Sequence, residues 1–421
     1  MSKDIFSLPA RVRTRVMRAF EPRQTIDQQN AWHLYGDIAW FGVLFAVAQS
    51  FLSVFTIRLG GSDTHVGLLS SLPALVTIFA SIPGSHLVER EKKPLSVLLI
   101  TVTINRFGYL AIALMPFFVL TQRADVVVVL FALLSIPGAI ANVAFTTMFA
   151  HAVKTEDRPR IVSVRNILLG ITTTLTALIA GRFLDLVTFP LNYQFLFILA
   201  FAASMLSVYH LARLQMPSAP TAESDPKIIA PRGVREFIAM LRANAAFARF
   251  TIASVVVAGG LWFAIPLYSI YWVRVLNASE GWIGIFAMVN NATSIFFFPV
   301  WARLATQYGN RAVLIATSAG LAGFPLLTAL APSVEWVVPV CFWGGVFTAG
   351  FQISFFNGLL DVCPAENRAS FIALCYTLIN VAAFLAPLLS SSLTAFVSVQ
   401  MLLIIGTGFR LLGAWMMWKR S

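Results

Sequence analysis

Twelve apolar runs, each long enough to cross a bilayer and set apart by short polar breaks, leave this chain one environment in which to fold. A helix needs about 20 apolar residues to traverse the hydrocarbon, where every backbone polar group must be satisfied internally. The runs fall at 37–58, 64–85, 94–119, 124–150, 164–185 and 190–213, then at 246–272, 281–303, 311–331, 335–360, 369–390 and 393–417. Charged residues form 11% of the chain, against about 25% in soluble domains. The expectation is an all-α polytopic membrane protein with twelve transmembrane helices.

The segment "PSAPTAESDPKIIAPRGVREF" at 217–237 has the prolines, small polar residues and charges of a connection outside the hydrocarbon. It divides the chain into a basic arm at 1–36, an N-terminal six-helix half at 37–213, a linker at 214–245 and a C-terminal six-helix half at 246–421. Basic residues collect in alternate breaks: Arg90 to Lys93, Lys154 to Arg160, Arg232 to Arg242, Arg303, Arg311, Arg368 and Lys419, together with the arm. The opposite breaks offer mainly Arg123, Arg182 and Arg274. This asymmetry places both termini in the cytoplasm of a cell inner membrane. In the arm, "FSLPARVRTRVMRAFEP" lacks the continuous apolar core of a cleavable signal; a surface-lying amphipathic helix and a disordered basic arm both remain open.

The formal net charge of +12 is spread over these breaks, so nucleic acid is not the expected partner. Cys341, Cys363 and Cys375 have no ligand spacing, and the five histidines are dispersed. No metal, cofactor, phosphate loop or catalytic triad is expected, and the chain reads as no enzyme.

Two pairs of short loops narrow the architecture. "KTEDRPRIVSVRN" from 154 and "CPAENRASFIALCY" from 363 both set an acid and an Arg before an apolar run, with Glu156 and Arg158 echoed by Glu366 and Arg368. After the second run, "SHLVEREKKP" at 85–94 carries Leu87, Glu89, Arg90 and Lys93; after the eighth, "WARLATQYGNRAVLI" at 301–315 carries Leu304, Gly309 and Arg311. With twelve spans and a central loop, the chain resembles the major facilitator superfamily, whose loops after spans two and eight run Gly, any residue, Leu, small residue, Asp, Arg, any residue, Gly, Arg, Arg or Lys. Here Gly84 stands one position early, Lys92 replaces the second Gly, and Thr306 and Gln307 replace the acid and base of the second copy. The fourth-span Arg of some subgroups is Leu134, and the fifth-span Gly-Pro pair is missing from "GITTTLTALIAG" at 170–181, which lowers the expectation of a typical drug/proton antiporter.

The resemblance implies two halves that rock around a central site, with Glu89, Arg90, Lys93, Glu156 and Arg158 as gating candidates at the cytoplasmic ends. Charges that merely set topology are the alternative. Glu89→Gln is expected to bias the chain toward its inward-open state.

Arg106 is the sharpest individual signal, about 12 residues and roughly 18 Å into the third run. Such a charge needs water, substrate or a protein partner. Substrate binding and structural pairing weigh equally for it, with Asn105 alongside. Asp37, at the edge of the first run, is the candidate for proton coupling or for pairing with a base. Gln49, Asn142, Asn290, Asn291, Asn357 and Asn380 are further substrate-binding candidates, each equally able to join helices. Tyr376 shares a helix face with Asn380, and Trp262 lies before Pro266 in a run expected to bend.

The sequence thus reads as a monomeric secondary transporter among membrane lipids, moving a small polar or amphipathic solute by alternating access. Proton coupling and exchange against a second solute are both compatible with it. Translocation of a lipid or lipid-linked solute is one alternative, and a nontransporting receptor or scaffold another.

Overall fold

The structure is a computed structural model and describes residues 25–91, 94–119, 121–216, 241, 244–364 and 368–419. Among the described residues twelve helices are long and apolar enough to cross a membrane: α1 (Ile26–Arg58), α2 (Asp63–Glu91), α3 (Pro94–Phe118), α4 (Arg123–Ala152), α5 (Arg158–Leu186), α6 (Leu191–Ala212), α7 (Ala245–Ile270), α8 (Glu280–Tyr308), α9 (Asn310–Ala329), α10 (Val337–Val362), α11 (Arg368–Leu393) and α12 (Val399–Lys419). Because the number of crossings is even, α1 begins and α12 ends on the same face, here called the terminal face. The opposite one is the far face.

Helix length exceeds the apolar runs wherever a polar turn extends past the hydrocarbon. Helix α1 starts at Ile26, eleven residues before the first run. The Thr25 hydroxyl accepts the Gln28 N–H and caps it, and Asp27 lies in its first turn. Asn30 fixes this extension, donating to Ala152 and Gln215 carbonyls and accepting the Gln215 N–H. Hydropathy reads the hydrocarbon thickness, whereas the hydrogen-bonded helix continues until its caps.

The two halves pack by one rule. In the N-terminal half α1 packs on α5 and α6, α3 on α4 and α6, and α2 on α4. In the C-terminal half α7 packs on α11 and α12, α9 on α10 and α12, and α8 on α10. The halves meet along two seams, α5 with α8 and α2 with α11, which the same pseudo-twofold exchanges. Small residues let the seams close: Gly181 faces Gly284 and the Glu280 carbonyl, and Gly67 faces Ser391.

Apolar clusters show where the halves are joined. One cluster runs through both, combining Val54, Phe55 and Phe197 with Val273, Ile283 and Phe286 near the far face. Toward the terminal face the clusters separate: Leu34, Val88, Met148 and Leu211 belong to one half, Phe247, Leu359, Phe371 and Cys375 to the other.

Prolines occur inside several helices, including Pro73, Pro137, Pro266 and Pro387. Side chains re-satisfy some of the freed backbone, as where Thr77 donates to the Pro73 carbonyl at 2.8 Å. Beyond Pro266, α7 widens into a single π turn at Tyr271–Val275, which carries Arg274 to the far face.

Candidate functional site

A cavity of about 370 Å³ opens among α1, α3, α4, α5 and α6 of the N-terminal half. Its walls are largely apolar, with Ile38, Phe41, Leu44, Val102 and Phe145 around a small set of polar groups. Asp37, Asn105, Arg106 and Asn142, chosen from sequence on three different spans, all line it.

Asp37 is buried and fully engaged. Its Oδ2 accepts from Arg165 Nη1 at 2.9 Å, and its Oδ1 accepts from the Ser207 hydroxyl at 2.7 Å. Arg165 also donates to the Leu34 carbonyl and lies 4.7 Å from the Phe145 ring centroid. One carboxylate therefore joins α1 to α5 and α6, and its charge is balanced by the guanidinium.

Arg106 is also buried but less completely served. Its Nη1 donates to Asn105 Oδ1 at 2.8 Å, and its guanidinium carbon stands 4.8 Å from the Phe41 ring centroid. Asn105 in turn donates to the Leu134 carbonyl, which holds its oxygen toward Arg106. Arg106 Nε has no hydrogen-bond partner. Two guanidiniums against one carboxylate leave the cavity with one uncompensated positive charge.

The remaining sequence candidates lie elsewhere. Asn290 donates to the Cys341 carbonyl and Asn357 contacts Asn310, linking helices within the C-terminal half. Tyr376 makes an edge contact with Phe355 and is partly exposed. Gln49 is exposed on α1, and Trp262, Asn291 and Asn380 are half-buried on α7, α8 and α11. None of these lines the N-terminal cavity.

At the terminal face Arg158 donates to the Ala150 and Val153 carbonyls, closing the end of α4, while Glu156 and Arg90 are exposed. Lys93 and the side chain of Glu89 lie outside the described residues, as do residues 1–24 of the basic arm at 1–36 and most of the central linker. In the second loop, Gly309 adopts φ +84°, a conformation that disfavours other residues, and Arg311 donates to the Met417 carbonyl.

Sequence reading missed the polar contacts that join the halves at the far face. Arg58 pairs with Glu280 at 2.9 Å, and the Tyr193 hydroxyl donates to the same carboxylate at 3.2 Å. Asp185, from α5, accepts the Gly281 N–H at 3.0 Å and the Ser279 hydroxyl at 3.1 Å, so one half supplies the anion at the N-terminus of α8 in the other. Arg274 reaches the Gly61 carbonyl, and its Nη1 stands 2.9 Å from Asp63. In sequence these residues look like ordinary span edges.

Two buried arginines were also missed. Arg165 lies at the edge of its predicted run, but α5 begins at Arg158, which moves it two turns inward. Arg410 has the mid-span signal of Arg106. It is fully buried, donating to the Gly260 and Leu321 carbonyls and to the Tyr268 hydroxyl.

A family model described as Major Facilitator Superfamily matches residues 37–270 and 250–420. Among solved structures, the nucleoside transporter NupG is 16% identical with a TM-score of 0.67, the alignment covering 94% of this chain and 100% of that one. An auto-inhibited POT family peptide transporter is 11% identical with a TM-score of 0.73, covering 93% and 97%. A POT family transporter in complex with 5-aminolevulinic acid is 14% identical with a TM-score of 0.68, covering 91% and 94%. No curated protein matches the sequence. With two six-helix halves related by a pseudo-twofold and a family match along nearly the whole chain, this protein belongs to the Major Facilitator Superfamily and is a secondary active transporter that works by alternating access, not an enzyme.

Proposed function

We propose that the transported solute is a small organic anion with an apolar body, and that its charged group rests on Arg106. The carrying observation is the buried Arg106 Nε without a partner, in a cavity whose other cation is already neutralised by Asp37. A buried guanidinium donor left unmade is costly, and a carboxylate or similar oxyanion satisfies it in paired geometry. Asn142 and Asn105 supply neutral polar contacts, and Phe41, Phe45 and Phe145 receive the apolar part. One protein of similar fold holds 5-aminolevulinic acid, a carboxylic acid small enough for a cavity of this size.

In this reading the terminal face is cytoplasmic, as the placement of basic residues supports. The far-face contacts then form the closed outer gate, and the cavity is reached from the cytoplasm. Glu89, Arg90, Lys93, Glu156 and Arg158 belong to the inner gate that forms when the halves rock, Asp37 is the carboxylate through which coupling reaches the cavity, and one chain suffices as the transporting unit.

The test is thermal stability of the full chain in lipid nanodiscs against a panel of small carboxylates, organic phosphates, neutral analogues and amines. Selective stabilisation by an anion, lost in Arg106→Ala and partly kept in Arg106→Lys, supports the assignment. A neutral or cationic compound that stabilises both forms equally overturns it.

A further inference from the structure

Two imidazoles stand on the terminal side of this cavity and take no part in its lining. His33 lies one helical turn before Asp37 on α1, and His210 lies one turn beyond Ser207 on α6. Their Nδ1 atoms are 3.1 Å apart, with ring centroids at 5.3 Å and planes inclined by 51°. Gly36, next to Asp37, lies against the His210 ring: a Cβ there would come within 2.6–2.7 Å of three ring atoms. The α1 backbone therefore sets the position of the second imidazole.

An Nδ1···Nδ1 contact at this distance holds one proton between the two atoms. A neutral pair provides it when one ring carries hydrogen on Nδ1 and the other on Nε2. A pair with one added proton provides it better, as an imidazolium donating to an imidazole. A second added proton puts two N–H groups and two positive charges face to face, and the contact breaks. Two histidines so arranged titrate as one unit with separated steps.

The charges around the pair connect this unit to the cavity. Asp37 directly follows Gly36, which packs on the His210 ring, and its carboxylate pairs with Arg165 from α5, while Arg106 on α3 lines the same cavity as both. Tyr209 makes an edge contact with His210 at 5.6 Å and carries the Arg213 guanidinium over its ring, and Tyr35 lies two residues after His33 on α1. Ser207, whose hydroxyl donates to Asp37, ties the helix turn that carries His210 to the carboxylate paired with Arg165.

We propose that His33 and His210 form the proton-coupling unit of the transport cycle. A proton from the terminal-face solution adds to the pair, and the new imidazolium competes with Arg165 for the Asp37 carboxylate. Arg165 is thereby released toward the cavity, where it joins Arg106 in holding the anion. Proton and monoanion then load together, and their charges cancel. This mechanism rests on the N-terminal cavity being the solute site, whereas the titration of the pair does not.

The experiment uses ¹⁵N-histidine-labelled full-length protein in lipid nanodiscs, titrated between about pH 5 and 8. The expected result is a pair of resonances that move together in two separated steps. His33→Gln and His210→Gln should each leave the remaining imidazole with a single step, and Asp37→Asn should move the first step to lower pH. Independent titration of both imidazoles, unaltered by removal of either, overturns the proposal. A second readout is maleimide labelling of Asn142→Cys in the cavity, expected to change several-fold over about pH 5.5 to 7.5 and to become flat in the His33→Gln/His210→Gln variant. A coupled titration with flat labelling in the parent overturns the link to the cavity. Correct coupling of titration and labelling without any Arg106-dependent anion binding overturns the solute site alone.

Discussion

The two halves share a packing scheme but handle buried charge in opposite ways. In the N-terminal half, Asp37, Arg165 and Arg106 surround a cavity, and the three charges do not cancel. In the C-terminal half, Arg410 is buried and is satisfied by two carbonyls and a phenol, with no carboxylate partner among the described residues. The first arrangement stores an unmet demand that a solute can meet. The second leaves little for a ligand to add and locks α12 to α7 and α9. Pseudo-symmetry of backbone therefore does not imply symmetry of buried charge, and under the proposed function the N-terminal half holds the solute while the C-terminal half is the body it rocks against.

The sharpest way to break this contrast is to remove one partner of the N-terminal pair. Arg165→Leu leaves Asp37 buried and unpaired, and unfolding in nanodiscs should show a loss of about 3–5 kcal/mol. Combining it with Asp37→Asn should restore part of that loss, since the stranded charge is gone. Full additivity of the two changes would mean that the pair is not the linking element.

Arg410→Leu comes next, with an expected loss of about 2–3 kcal/mol, in the range for hydrogen bonds to a charged donor. Anion binding by the folded fraction should persist, measured by titration of the same preparation. If binding disappears while the protein remains folded, the C-terminal clamp is part of the site and the contrast fails.

Glu280→Gln probes the junction between the halves. Arg58 is partly exposed, so the effect on global stability should be about 1 kcal/mol or less. Alkylation of a cysteine placed at the far face should nevertheless rise several-fold, because roughly 1.4 kcal/mol of bias changes a population tenfold. Unchanged labelling would remove Glu280 from the gate.

The smallest effect is expected at the terminal face, where Lys154 stands 2.6 Å from Asp27. The hydrogen bond to that carboxylate raises the Lys154 pKa above its ordinary value. Its contribution is complete below the ordinary lysine range and is lost only as pH rises through the raised value. Lys154→Gln should leave thermal stability at neutral pH unchanged, because both side chains are exposed to water. A clear loss would show that polar ties within the N-terminal half extend beyond its buried core.

Much of the candidate site is legible in the sequence because charge in hydrocarbon is rare. Arg106 and Asp37 stood out on that ground, and Asn105 and Asn142 were found as amides within apolar runs. Arg165 escaped because a hydropathy edge at 164 made it look interfacial, whereas the hydrogen-bonded helix starts at Arg158. The C-terminal amides looked the same as Asn142 in sequence, yet Asn290 is committed to a neighbouring helix. Composition cannot separate an amide facing a cavity from one facing a carbonyl.

By itself the sequence determined twelve spans, their division into two halves and the concentration of basic residues in alternate breaks, because the bilayer imposes length and polarity on every segment independently. Only the tertiary structure decided that Asp37 meets Arg165, 128 residues away, that His33 meets His210, 177 residues away, and that Arg58 meets Glu280 across the two halves, 222 residues away. Those outcomes depend on which faces of separate helices turn toward each other, and hydropathy sets how deep a residue lies but leaves its neighbour to packing.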